Sequence, residues 1–139
     1  MLYILMGEDD YSIRQSLEEI KKGLGDQTAL MTNTTIFDGK QVTPDQLRGV
    51  CEAVPFLAEK RLVIVEGLLG HFEPKGKSGK KKSASSNNQD KYKSIVDCIS
   101  QTPDFTELVL IDGRIGDRNP LLRELSAKAK IRSFPLLKG

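Results

Sequence analysis

Leu2-Tyr3-Ile4-Leu5-Met6 is an unbroken apolar run that stops at Gly7. A strand with one wet face alternates apolar with polar residues, so a short run that is apolar throughout fits a strand buried on both faces. Further strands are expected at Arg61 to Val65, Leu108 to Ile111 and Ile131 to Phe134, with a weaker one at Thr34 to Phe37. Helical signals lie between them. Asp9 or Asp10 can cap a helix whose Ile13, Leu17, Ile20 and Leu24 keep the 3.6-residue period, with Gly25 as its stop. Thr43 as N-cap, Pro44 at the first helical position and Gln46 three residues after the cap announce a second helix, with Leu47, Val50, Cys51 and Val54 on one face. Pro55 favours its end at Val54. Tyr92, Ile95, Val96 and Ile99 mark a third helix, and Asn119-Pro120 with Leu121, Leu122 and Leu125 a fourth. Five strands alternating with four helices predict an α/β fold: a parallel sheet with helices on both faces, whose ligand sites, if any, lie at the carboxyl ends of strands.

At 139 residues, 38% of them hydrophobic, the chain is long enough for one domain with a core and too short for two ordinary ones. No apolar run reaches the 18 or so residues of a membrane span, and residues 1–6 lack the basic flank and length of a signal peptide. Cys51 and Cys98 both fall within apolar helical periods without a CxxC or Cys/His cluster, which fits buried reduced thiols. A cytoplasmic protein is expected. The formal charge of +2 misleads as an average, because removing Lys75, Lys77, Lys80, Lys81 and Lys82 leaves a net −3. Those lysines stand in a Gly/Ser/Asn-rich stretch, at about 73–90, with almost nothing to bury, and a flexible loop is expected there. Its lysines can contact nucleic-acid phosphates through counterion release. No aromatic residue interleaves them to stack on bases, which favours a plain solvated insertion.

Three kinds of catalytic site are conceivable at the strand ends. Gly76-Lys77-Ser78 evokes a phosphate-binding P-loop, but five residues separate Gly70 from Gly76 where four are needed. Gly79-Lys80-Lys81-Lys82 follows in place of a helix, and the turn after the first strand, Gly7-Glu8-Asp9-Asp10, would repel a triphosphate. Glu8-Asp9-Asp10 together with Asp112 mimics the Mg²⁺-binding acids of a phosphoacceptor receiver domain. Receivers, however, need two more strands after the acceptor, and the 27 residues after Asp112 hold one helix and one strand. Hydrolytic or redox catalysis has only His71 to build on. No catalytic residue, cofactor or metal site is expected.

One apolar pair belongs to neither helix nor strand. Phe56 and Leu57 follow Pro55 and precede Ala58 in the connection to the next strand. In such a place they either plug the end of the core or project as anchors for a partner.

The segments Leu2-Tyr3-Ile4-Leu5-Met6-Gly7-Glu8-Asp9-Asp10-Tyr11-Ser12-Ile13-Arg14, Phe37-Asp38-Gly39-Lys40 and Pro55-Phe56-Leu57-Ala58-Glu59-Lys60-Arg61 with the strand after it closely resemble, in order, the N-terminal domain of the delta subunit of bacterial DNA polymerase III. That subunit is part of the sliding-clamp loader. The resemblance implies an AAA+-like module, related to P-loop NTPases but without a working P-loop. It also implies a chain that continues into lid and collar domains not present here, so that these residues are a piece of a longer protein. By position, it assigns Phe56 and Leu57, flanked by Pro55 and Ala58, to a hydrophobic pocket on the ring-shaped clamp (the beta subunit), whose open form is thereby favoured. The implied partners are that clamp and the gamma/tau and delta prime subunits, with DNA met through the complex. The implied setting is the polymerase holoenzyme, a nucleotidyltransferase assembly in which this subunit has no catalytic step of its own.

Overall fold

The structure is a computed structural model that describes residues 2–25, 27–56, 60–71, 92–113 and 119–134. The lysine-rich stretch with Lys75, Lys77, Lys80, Lys81 and Lys82, and Leu57 and Ala58 of the apolar connection, lie outside the described residues. In chain order the elements are β1 (Leu2–Gly7), α1 (Asp10–Lys22), α2 (Gln27–Thr32), β2 (Thr34–Asp38), α3 (Pro44–Cys51), β3 (Arg61–Glu66) and α4 (Leu68–His71). They continue with α5 (92–100), β4 (Thr106–Asp112), α6 (Pro120–Leu125) and β5 (Ala129–Phe134).

The five strands among the described residues are all parallel, in the order β2-β3-β4-β1-β5. β1 therefore lies between β4 and β5. A receiver has the flavodoxin-like order 2-1-3-4-5, with β1 beside β2, so the topology sets that alternative aside.

The alternation of side chains along the central strands builds two cores. Leu62, Ile64 and Val109 point to the layer of α1 and α2, where Ile13, Leu17, Ile20 and Leu30 cover them. Val63, Val65, Leu108 and Leu110 point the other way, under Leu47, Cys51, Ile95, Leu121 and Leu125. Successive residues of a strand face opposite sides of the sheet, so unbroken apolar runs are what two covered faces require.

Local signals placed several helix boundaries. The Asp9 carboxylate caps α1 by accepting the Ser12 N–H at 3.1 Å. Thr43 and Gln46 form the expected reciprocal cap on α3: the Gln46 N–H donates to Thr43 Oγ1 (3.1 Å) and the Thr43 N–H to Gln46 Oε1 (3.0 Å). Other boundaries moved. α1 stops at Lys22, because its last turn tightens: the Gly23 N–H donates to both the Glu19 and Ile20 carbonyls and the Leu24 N–H to Lys21. α3 ends at Cys51, three residues before Val54, and Val54 is 74% exposed instead of facing the core. The helices α2 and α4 have no periodic stripe to announce them; among the described side chains of α2 only Leu30 is buried in the core.

Candidate functional site

The connection from α3 to β3 owes its shape to groups remote in sequence. A helix end leaves carbonyls without intrahelical partners, and here two side chains from the sheet claim them. The buried Thr106 hydroxyl at the start of β4 donates to the Cys51 carbonyl at 2.6 Å. Arg61, the first residue of β3, donates from Nε to the Ala53 carbonyl (2.9 Å) and from Nη2 to the Val54 carbonyl (3.4 Å). The chain thus leaves the helix at Cys51, and Pro55, without an N–H, follows.

Phe56 comes next, tied through its backbone. Its N–H donates to Asn33 Oδ1 at 2.6 Å and its carbonyl accepts from Asn33 Nδ2 at 2.9 Å. Asn33 is 1% exposed; its amide group also donates to the Ala29 carbonyl (2.9 Å) and accepts from Arg61 Nη2 (3.5 Å). Phe56 as a residue is nevertheless 63% exposed. So Phe56 is not a plug of the core: its main chain is held down and its aromatic side chain faces outward. Pro55 is half-buried beside it.

Lys60, the next described residue, is tethered as well. Its ammonium donates to the Asp104 carbonyl and pairs with Glu107 Oε2, both at 3.2 Å. Glu107 is buried on the sheet, and the Tyr3 hydroxyl is pushed above its ordinary value by burial first and by the Glu107 carboxylate second. Sequence patterns gave no sign of Asn33, Thr106 or Arg61 in these roles, since each partner lies on another element.

Asp9, Asp10 and Asp112 each have partners within the fold. Ser12 Oγ donates to Asp9 Oδ2 (2.8 Å), and Asp10 pairs with Arg14 Nε on the helix surface at 2.9 Å. Asp112, buried at the end of β4, accepts the Leu69 and Gly70 N–H groups at 3.0 and 2.9 Å and so fixes the start of α4. Among the described residues no three acidic, histidine or cysteine side chains gather in a way that could hold a metal ion. Gly76 to Ser78 lie outside the described residues, as does the His71 side chain. Cys51 and Cys98 are free, buried and on the same side of the sheet. A hydrogen bond between the two thiols pushes Cys51 up and Cys98 down; burial adds to the first shift, and the Arg48 charge to the second. No described helix is long and apolar enough to cross a membrane.

The chain is similar to known proteins along nearly its whole length. Residues 3–134 match the family described as DNA polymerase III, delta subunit. The DNA polymerase III subunit delta of Bacillus subtilis is 32% identical over 65 residues, 47% of this chain and 19% of that protein. Among solved structures, the Bacillus subtilis DNA clamp loader delta protein superposes with a TM-score of 0.74 at 24% identity, over 99% of this chain and 39% of that one. A DNA polymerase III gamma subunit-related protein from Thermotoga maritima superposes with a TM-score of 0.61 at 14% identity, over 99% of this chain and 42% of that one. These likenesses carry the AAA+-like fold, and the chain spans less than half the length of each of these relatives. With the family match extending from the first strand to the last, the chain belongs to the DNA polymerase III delta subunit family.

Proposed function

We propose that this domain binds the bacterial sliding clamp through Phe56 and Leu57, flanked by Pro55 and Ala58, and favours the open ring. The observation that carries the reading is the posture of Phe56, whose ring is exposed while its main chain is bonded on both sides to a buried side chain. An aromatic side chain presented from a fixed backbone is the form that interface anchors take. Two such residues entering an apolar pocket contribute on the order of 2 kcal/mol each, enough for a transient contact. Ring opening then needs no chemistry at the contact; the clamp is shifted toward whichever form this surface binds better.

The domain acts in a hetero-oligomer with gamma/tau and delta prime subunits, meets DNA through that complex, and has no catalytic step. Support for the last point lies in the turn after β1, where a P-loop would cradle phosphates. The Gly7 N–H donates to the Gly113 carbonyl and the Asp9 N–H to the Phe134 carbonyl, both at 2.9 Å. These donors serve the fold.

The test is binding of the chain to the sliding clamp of the same organism by calorimetry or surface plasmon resonance. Replacing Phe56 and Leu57 together by alanine weakens binding at least about tenfold, since roughly 1.4 kcal/mol suffices for that factor. If affinity is unchanged in a double variant that melts normally, the contact lies elsewhere. If affinity falls only in step with the folded fraction, the pair is structural.

A further inference from the structure

We infer that Asn33 is a positioning residue for the anchor segment: its buried side chain holds the Phe56 backbone in the orientation that presents the ring to a partner. The inference rests on the clamp-contact reading and adds to it a residue that touches no partner.

Asn33 stands at the junction of α2 and β2, between Thr32 and Thr34. Its own carbonyl accepts the Leu62 N–H at 3.0 Å, so its main chain is part of the pairing between β2 and β3. Its side chain leaves the sheet and bonds both backbone groups of Phe56, 23 residues away. Two hydrogen bonds to one residue fix the peptide planes on either side of its Cα, and with them the direction of its Cβ. A single bond would leave a rotation free. Ala29 and Arg61 occupy the remaining donor and acceptor positions of the amide, which holds the amide itself in place.

The physical consequence is preorganisation. A partner that binds an exposed ring on a mobile segment must order that segment, and the cost comes out of the affinity. Where a buried side chain has already ordered it, that cost falls on folding instead. The ring itself adds no burial to either core, so these bonds hold the Phe56 backbone without drawing its ring inward. The clasp leaves the ring presented to solvent.

The test is a double-mutant cycle on the full chain with the sliding clamp of the same organism, using wild type, Asn33→Ala, Phe56→Ala and the double variant. Melting temperature and Phe56 amide hydrogen exchange are recorded on the same proteins that carry Phe56. Asn33→Ala speeds exchange of the Phe56 amide at least about tenfold and weakens clamp binding about fivefold or more. In the Phe56→Ala background the same change weakens binding less than about twofold, the non-additivity expected when one residue acts through another. Asn33→Asp keeps the shape and the acceptor for the Phe56 N–H but has no N–H for the Phe56 carbonyl, so should alanine prevent folding it gives the same background-dependent loss of binding with little change in Phe56 amide exchange. An equal loss in both backgrounds shows a merely structural role and overturns the inference. So does unchanged affinity despite faster Phe56 exchange. If Phe56→Ala itself leaves binding intact, the contact reading fails, and the positioning role goes with it.

Discussion

A Cβ on Gly7 would run into the carbonyl oxygen of Phe134, the last described residue of β5. Gly7 has φ +135°, a region that side chains with a Cβ rarely enter. The β1 turn and the end of β5 are thus packed backbone to backbone, and the Asp9 N–H donates to the same Phe134 carbonyl. Gly7→Ala lowers stability by at least roughly 1–3 kcal/mol through backbone strain alone, before the clash is counted. Thermal melting reads it. In the wild-type chain, isothermal calorimetry with Mg-ATP detects no micromolar binding, because the Gly7 and Asp9 N–H groups of the turn are occupied and its carboxylates repel phosphate.

Asp112 supplies the second prediction. Its carboxylate is the acceptor for two N–H groups that start α4, in a buried position. Asp112→Ala leaves those donors without a partner and costs about 1–3 kcal/mol for each donor that water cannot reach, read as a drop in denaturation midpoint. Acetyl phosphate with Mg²⁺ does not label the wild-type chain at this residue. Labelling without loss of structure would show that the carboxylate is free for chemistry.

Leu47 and Phe56 are close in sequence and opposite in role. Leu47 is wholly buried under the sheet, so Leu47→Ala costs about 2–5 kcal/mol. Phe56→Ala removes an exposed ring and leaves both Asn33 bonds in place, since those bonds are to the backbone. Its effect on folding stays within about 0.5 kcal/mol. Urea titrations of the two variants side by side check the contrast, and equal destabilisation would place the Phe56 ring in the core.

Tyr3 makes stability depend on pH at the alkaline end. Burial, then the nearby Glu107 charge, then a hydrogen bond to Glu107 raise its hydroxyl in the folded chain above the ordinary value of 10.0, which the unfolded chain retains. Because the folded state holds that proton more tightly, the stabilisation is full below pH 10.0 and is lost as pH rises through the higher folded value. Tyr3→Phe removes that dependence. Melting curves of both proteins between about pH 9 and 12 show a steeper decline in the wild type; parallel curves would contradict the assignment.

What the sequence determined by itself is what neighbouring residues decide. The β1 run, the Thr43-to-Gln46 cap and the Asn119-Pro120 helix start depend on groups a few positions apart, and each appears in the structure where the pattern placed it. The order of family-like segments likewise pointed to the family that the match over residues 3–134 shows. Tertiary structure decided the rest. Strand order placed β4 between β3 and β1, and no local period encodes that. The early end of α3 depends on Thr106, 55 residues from Cys51; the existence of α4 on Asp112, 43 residues from Leu69; and the outward posture of Phe56 on Asn33, 23 residues before it. In each case a backbone group at the end of an element needed a partner, and only the folded chain could bring one within reach.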